Sequence, residues 1–211
     1  SHTAHAEPLP VQGDHGGLWP TQNLVAIKAP VFSMSKLSGV DTYLGPEMKS
    51  TGEVMGVDYT FDAALAKALL AADLTLPQEG PILLSIADQD KPEALPIIRE
   101  LSSHGFKLYA TEGTAAMIEA EGMPITLISK KIGEGYPDIL DIIRDGTVRG
   151  VVNTITGERG PLADGFQIRR VAAEKRVPCY TSLDTFKAAL EASVNGDQGF
   201  TVQRLRQYLS D

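Results

Sequence analysis

From residue 81 onward, short apolar runs alternate with amphipathic stretches, and that rhythm limits the folds open to the chain. Residues 82–86, Ile-Leu-Leu-Ser-Ile, read as a strand. Asp90 then caps a helix with Pro92 in its first turn and Glu93 at the capping-box position. That helix turns Leu95, Ile98 and Leu101 inward and stops at Gly105. Further strands are expected at 106–110, 125–128, 148–152 and 177–180, with helices at 115–120, 137–144, 167–175, 183–192 and 202–209. Strands and helices in this order predict an α/β domain with a doubly wound, largely parallel five-stranded sheet and right-handed crossovers. In such a sheet, ligands sit in the loops at the carboxyl ends of the strands.

Upstream of residue 81 the pattern is different. Residues 1–23 have no hydrophobic period and read as an unstructured or out-of-context segment. His2, His5 and His15 lie there, and a frayed terminus accounts for them better than a metal site. Residues 24–33 read as a strand, or a strand pair interrupted at Pro30. Thr60 is placed to cap a helix over 60–74, with Phe61, Ala64, Leu65, Ala68 and Leu69 on one face, and 77–80 form a linker. Between these segments lies Gly45-Pro-Glu-Met-Lys-Ser-Thr-Gly-Glu-Val-Met-Gly56, with three glycines, two adjacent hydroxyls and two carboxylates in twelve residues. Taken alone, that run has the chemistry of a place where backbone and acidic groups approach a charged ligand or metal.

At 211 residues the chain has room for one domain of about 130 residues and an appendage. The net charge of −8 leaves no basic stripe to collect phosphates, so a nucleic-acid partner is not expected. One cysteine, Cys179, fits a reducing cytoplasm. No apolar run approaches 18 residues, and no signal-peptide core is present, so neither membrane spanning nor secretion is expected.

Three loops at the ligand edge could carry chemistry. Strand two ends in Ala110-Thr-Glu-Gly-Thr114, where Gly113 between Thr111 and Thr114 opens a helix. Free N–H groups, two hydroxyls and a helix N-terminus are the parts of a phosphate cradle, but a plain N-cap at Thr111 and a turn glycine explain the same residues equally well. Strand three leads into Lys130 and Lys131; such a pair is ordinarily just solvated, but beside a cradle a lysine can balance a phosphate's charge, and the position raises that reading. Strand four ends at Asn153, whose amide both donates and accepts and so suits a base or ribose edge. Ser85 ends strand one and Lys91 lies just inside the next helix. Together these favour a mononucleotide or phosphorylated metabolite; no Walker or dinucleotide fingerprint is present.

Catalytic signs are weak. His104 precedes Gly105 at a helix end, and Cys179 reads as a strand residue. Asp138 and Asp141 lie three apart on a helix as a carboxylate pair could, but a solvated charge pair at the helix start explains them equally well. Arg169 and Arg170 could bind an anion or merely face solvent, with the balance slightly toward solvent. No catalytic or metal-ligating residue is assigned.

Residues 31–57, through Gly45–Gly56, resemble the end of the second ATP-grasp synthetase unit of the carbamoyl-phosphate synthase large-chain family, and residues 81–195 resemble that family's methylglyoxal-synthase-like allosteric domain. The resemblance implies a C-terminal piece of such a chain: a synthetase remnant over 24–76 and the allosteric domain over 81–211, inactive alone. It implies UMP and IMP as effectors, held by Ser85, Lys91, Thr111, Gly113, Thr114, Lys130 and Asn153, with Thr111, Thr114 and Lys130 around the phosphate. Ornithine is implied as a further effector, with Tyr180 and Thr181 at the matching positions, Tyr180 shifted by one. The parent uses ATP with Mg or Mn, and its partners are the remainder of the large chain and a glutaminase small chain, with homo-oligomers possible. It makes carbamoyl phosphate from bicarbonate and glutamine-derived ammonia for pyrimidine and arginine biosynthesis. This sequence departs from the bacterial pattern at Ile155, where a threonine is expected, and in a longer loop after Lys130. The rival is a free-standing methylglyoxal synthase acting on dihydroxyacetone phosphate. Its Gly-Gly-Asp segment is matched only imperfectly by Gly160-Pro-Leu-Ala-Asp-Gly165, with Asp164 as the carboxylate.

Overall fold

The computed structural model describes residues 23–31, 50–129, 137–154, 162–194 and 202–208. Five strands make the main sheet: β3 (Pro81–Ser85), β4 (Lys107–Thr111), β5 (Thr126–Ile128), β6 (Gly150–Asn153) and β7 (Cys179–Tyr180). They run in the order β5-β4-β3-β6-β7, and every pairing is parallel. The chain builds outward from β3 through β4 to β5, then crosses back to place β6 on the other side of β3. That reversal opens a crevice at the carboxyl ends of β3 and β6, the usual ligand position of an open α/β sheet.

Central β3 shows why the sheet is buried on both sides. Ile82, Leu83 and Leu84 are fully inaccessible. Ile82 and Leu84 face one apolar layer with Ile98 and Leu101 of α2 (Lys91–Ser103), Ile118 of α3 (Glu112–Ala120), and Phe186 and Leu190 of α6 (Leu183–Val194). Leu83 faces the other, with Ile142 and Ile143 of α4 (Asp141–Arg144) and Ile168 and Ala172 of α5 (Leu162–Glu174). Alternate side chains of one strand thus feed two cores, the geometry that a continuous apolar run requires.

The N-terminal elements form a second unit, with β1 (Val25–Val31) antiparallel to β2 (Gly52–Asp58), followed by α1 (Phe61–Ala71). Pro30 does not interrupt β1; it pairs opposite Glu53 within one strand. Residues 52–56 of the glycine-rich run are strand, and residues 45–49 lie outside the described residues. Gly56 serves packing: a Cβ there would lie 2.0 Å from the Ala64 carbonyl oxygen and 2.5 Å from the Ala68 nitrogen. Thr60 caps α1 as expected, its Oγ1 accepting from the Ala63 N–H at 3.3 Å. Phe61, expected on the inward face, is instead 57% exposed; Ala64, Ala68 and Leu69 are the buried residues. Leu69 and Leu76 enter the same apolar layer as α2, α3 and α6.

Other boundaries shift for local reasons. Asp90 makes no side-chain cap; a 3-10 turn over Asp88–Asp90 leads into α2 instead. Ala94 and Ile97 join Ile98 and Leu101 in the core, while Leu95 is only half-buried. The helix expected over 137–144 is reduced to Asp141–Arg144. Asp138 is buried rather than solvated, and its Oδ1 accepts from the N–H groups of Leu140 and Asp141, both at 2.9 Å. A closing helix, α7 (Leu205–Tyr208), returns to the N-terminal unit.

Candidate anion-binding site

Eight buried polar or charged side chains occur among the described residues, and six of them gather at the carboxyl edge of the sheet: Ser85, Thr111, Thr114, Asn153, Thr154 and Arg169. A core of this kind tolerates polar groups only where they are hydrogen-bonded or face a ligand. Ser85 and Asn153 are register partners at the ends of β3 and β6, and Thr111 ends β4 on the other side.

Two threonines pin the loop between these strands and α2. Thr114 Oγ1 accepts from the Ile86 N–H at 3.0 Å, and Thr154 Oγ1 accepts from the Ala87 N–H at 2.8 Å. The Thr154 N–H in turn donates to the Ser85 carbonyl at 3.2 Å. The loop is therefore fastened from the β4–α3 side and from the β6 side at once. Thr114, expected at a phosphate, spends its hydroxyl on that fastening.

Thr111 occupies the N-cap position of α3 with extended backbone (φ −70°, ψ 156°) but makes no side-chain cap. The N-terminal N–H groups of α3 are thus not satisfied by the residue that usually does so. Over this turn lies Lys91. A Cβ at Gly113 would stand 3.2 Å from Lys91 Nζ, so glycine at this position lets the ammonium rest against the first turn. Asp88 holds that ammonium from the other side, Oδ1 to Nζ 2.6 Å. The helix N-terminus thus offers N–H groups to an anion, with the Lys91 ammonium, shared with Asp88, above them. Lys130 lies outside the described residues.

Across the switch point, the structure turns inward an arginine for which the sequence left anion binding and solvent both open, leaning slightly to solvent. Arg169 is 1% exposed, and its Nη1 donates to Asn153 Oδ1 at 2.7 Å. Gly165, one turn earlier in α5, leaves room for this contact: a Cβ there would lie 2.9 Å from Arg169 Nη1 and 3.3 Å from Asn153 Oδ1. Arg170 does face solvent and pairs with Glu174 at 2.9 Å. The glycine four residues before the inward arginine was the one available signal, and only the fold gives it meaning.

The remaining candidates fall elsewhere. Tyr180 is 1% exposed, and its hydroxyl donates to the Leu74 carbonyl at 2.7 Å, tying β7 to the segment after α1. Burial pushes that phenol above its ordinary range. Thr181 follows in a half-buried bend. Asp164 stands in the first turn of α5. His104 ends α2, its N–H donating to the Glu100 carbonyl. Cys179 is half-buried in β7. An open cleft of about 310 Å³ between α4 and α5 includes Arg144 and Arg170, but each has a carboxylate at hand, Asp141 and Glu174, so it offers little net charge to an anion. Among the described residues no cluster of three or more His, Cys, Asp or Glu could hold a metal, and no helix is long and apolar enough to cross a membrane.

Residues 93–181 match the family model of the MGS-like domain. Over 197 residues the chain is 54% identical to the carbamoyl phosphate synthase large chain of Thermomicrobium roseum. The chain is a homologue of the carbamoyl phosphate synthase large chain. The match takes in 93% of this chain but spans only 18% of that relative's length. It extends well beyond the MGS-like domain, which begins in the first turn of α2 and ends just after β7. Within the domain lie Thr111, Gly113, Thr114, Lys130, Asn153 and Arg169; Ser85 and Lys91 lie just ahead of it.

Proposed function

We propose that this chain is an allosteric unit of a carbamoyl phosphate synthase large chain, and that its sheet edge binds a nucleoside monophosphate such as UMP or IMP. The observation that carries the reading is the placement of Lys91 Nζ against the uncapped first turn of α3, at Gly113. Thr111, the Gly113 backbone, Lys91 and Lys130 would surround the phosphate; Thr114 would hold the loop that frames it. Ser85 and Asn153 would face the nucleoside across the switch point, and Thr181 is the remaining candidate for ornithine.

In this reading β1, β2 and α1 belong to the end of a second ATP-grasp unit, and the parent enzyme, with ATP and Mg or Mn, makes carbamoyl phosphate from bicarbonate and glutamine-derived ammonia in the cytoplasm. Its partners are the rest of the large chain and a glutaminase small chain. The effector acts by binding two conformers of the synthetase with different affinity, since only differential binding shifts their populations.

Calorimetric titration with UMP and IMP tests the site. Lys130→Ala weakens binding tenfold or more, in keeping with loss of a charge-assisted hydrogen bond worth about 1.5–3 kcal/mol. Lys131→Ala changes it less than about twofold, as a lysine with no assigned phosphate contact should. Equal effects, or no heat of binding with the fold intact, would remove the assignment.

A further inference from the structure

We infer that Arg169 is a positioning residue that fixes the amide of Asn153 in one orientation, so that this amide turns only N–H donors to the candidate site and selects a base with a carbonyl rather than an amino group at pyrimidine C4 or purine C6. This rests on the proposed nucleotide site and concerns which base that site accepts.

An asparagine amide can turn over, exchanging its oxygen for its nitrogen, and only the surrounding hydrogen bonds decide between the two. A guanidinium is a donor with no acceptor capacity and keeps its proton throughout the accessible pH range. Asn153 Oδ1, 2.7 Å from Arg169 Nη1, is therefore committed to α5; the reversed amide would set two donors against each other in a site where both residues are almost fully buried. Gly165 protects the arrangement, because a Cβ there would press on both Arg169 Nη1 and Asn153 Oδ1. With its oxygen turned to α5, the amide directs Nδ2 and its two hydrogens the opposite way.

Position decides which part of a ligand would meet those hydrogens. Thr111 ends β4 and Asn153 ends β6, with β3 between them. Two strand spacings put the two residues about 10 Å apart. A phosphate held at α3 is then out of reach of Asn153, which faces the nucleoside end instead. A donor pair there satisfies a ring carbonyl and leaves an exocyclic amino group unpaired.

The test compares ligands that share phosphate and ribose and differ at the base edge: UMP against CMP, and IMP against AMP, by calorimetry on the whole chain. The keto member of each pair binds at least about tenfold tighter, the scale set by one buried hydrogen bond made or left unpaired. Asn153→Asp keeps the bond to Arg169 but offers oxygen to the ligand, so it reverses the preference. Arg169→Met frees the amide to turn and brings the keto-to-amino ratio toward one, whereas Arg169→Lys, still a donor, restores part of it. A purely structural role for Arg169 would lower the melting temperature and leave that ratio alone. If Arg169→Met fails to fold, Asn153→Asp decides: an unchanged preference overturns the inference. Nucleotide binding with no keto preference in the unaltered protein overturns it too while leaving the nucleotide site standing; absence of all nucleotide binding removes both.

Discussion

Two cations among the described residues are held in different surroundings, half-buried Lys67 between the N-terminal unit and α7 and buried Arg169 at the sheet edge. Lys67 Nζ meets Asp58 Oδ2 at 2.7 Å, the Val57 carbonyl at 2.9 Å and Tyr208 Oη at 2.6 Å. Asp58 Oδ1 also accepts from the Tyr59 N–H at 2.7 Å. The rings of Tyr59 and Tyr208 close the cluster with centroids 5.4 Å apart. Arg169, by contrast, has among its partners a neutral amide, that of Asn153. The first arrangement joins β2 and α1 to α7. The second engages Asn153, a residue of the candidate site, through its amide oxygen.

If that contrast is right, damage to the N-terminal unit costs stability and spares nucleotide affinity. The largest effect is expected at Gly56. Its missing side chain lets β2 lie on the backbone of α1, and a methyl group 2.0 Å from the Ala64 oxygen cannot be relieved by a rotamer change. Gly56→Ala should lose more than the roughly 3 kcal/mol that usually bounds overpacking. In thermal denaturation that is a drop of about 6–12 °C for a chain of this size. Titration of the variant below its transition should return the wild-type nucleotide affinity. A large loss of affinity would mean that the two regions form one cooperative site.

Asp58→Asn comes next and adds a pH signature. Burial by itself would raise the Asp58 carboxyl, but hydrogen bonds from Lys67 and Tyr59 and the Lys67 charge outweigh it, so the group lies below its ordinary 3.8. Burial would likewise lower Lys67, yet Asp58 and Tyr208 hold it above 10.5. The carboxylate therefore contributes stability that is complete above about pH 4 and is lost as pH falls through its folded value. The lysine contributes stability that is complete below its ordinary value and is lost as pH rises through its folded one. The asparagine retains an acceptor for one neighbour but not the charge, and we expect a loss of about 2 kcal/mol at neutral pH, within the range for a broken buried pair once partial rescue is allowed. Denaturation at several pH values should show wild type and variant converging in strong acid. A gap that stays constant would mean that the ion pair is not what Asp58 contributes.

The same contrast separates what was legible in sequence from what was not. The strands and helices of the five-stranded sheet could be placed because apolar runs and helix stops are local signals: Gly105, Gly122 and Gly146 all take positive φ at the ends they were expected to mark. Gly56 looked like ligand chemistry because its close neighbour, the Ala64 carbonyl, belongs to a different element. Arg169 and Arg170 are adjacent and identical in type, so no local rule separates them; helix periodicity turns one under the sheet edge and the other to solvent. Thr111, Gly113 and Thr114 were singled out correctly as a turn opening a helix, but which hydroxyl is spent and which is spare depends on Ile86, contributed by another strand's loop.

The smallest effect worth measuring is at Thr114, where structure and binding meet. Its Oγ1 accepts the Ile86 N–H, so Thr114→Val keeps the shape but strands a buried donor, a loss of about 1 kcal/mol. Thr114→Ser keeps the acceptor and loses only a methyl group, and should restore most of the nucleotide affinity that the valine removes. If Thr114 fastens the loop, valine weakens UMP and IMP alike, because both depend on the frame and neither on the hydroxyl itself. It should also weaken inorganic phosphate less than nucleotide, since the loop after β3 lies between the phosphate end and the nucleoside end of the crevice. A loss as large for phosphate as for nucleotide would instead make Thr114 a direct phosphate contact, and the line between a closed structural cluster and an open binding edge would have to be redrawn through α3.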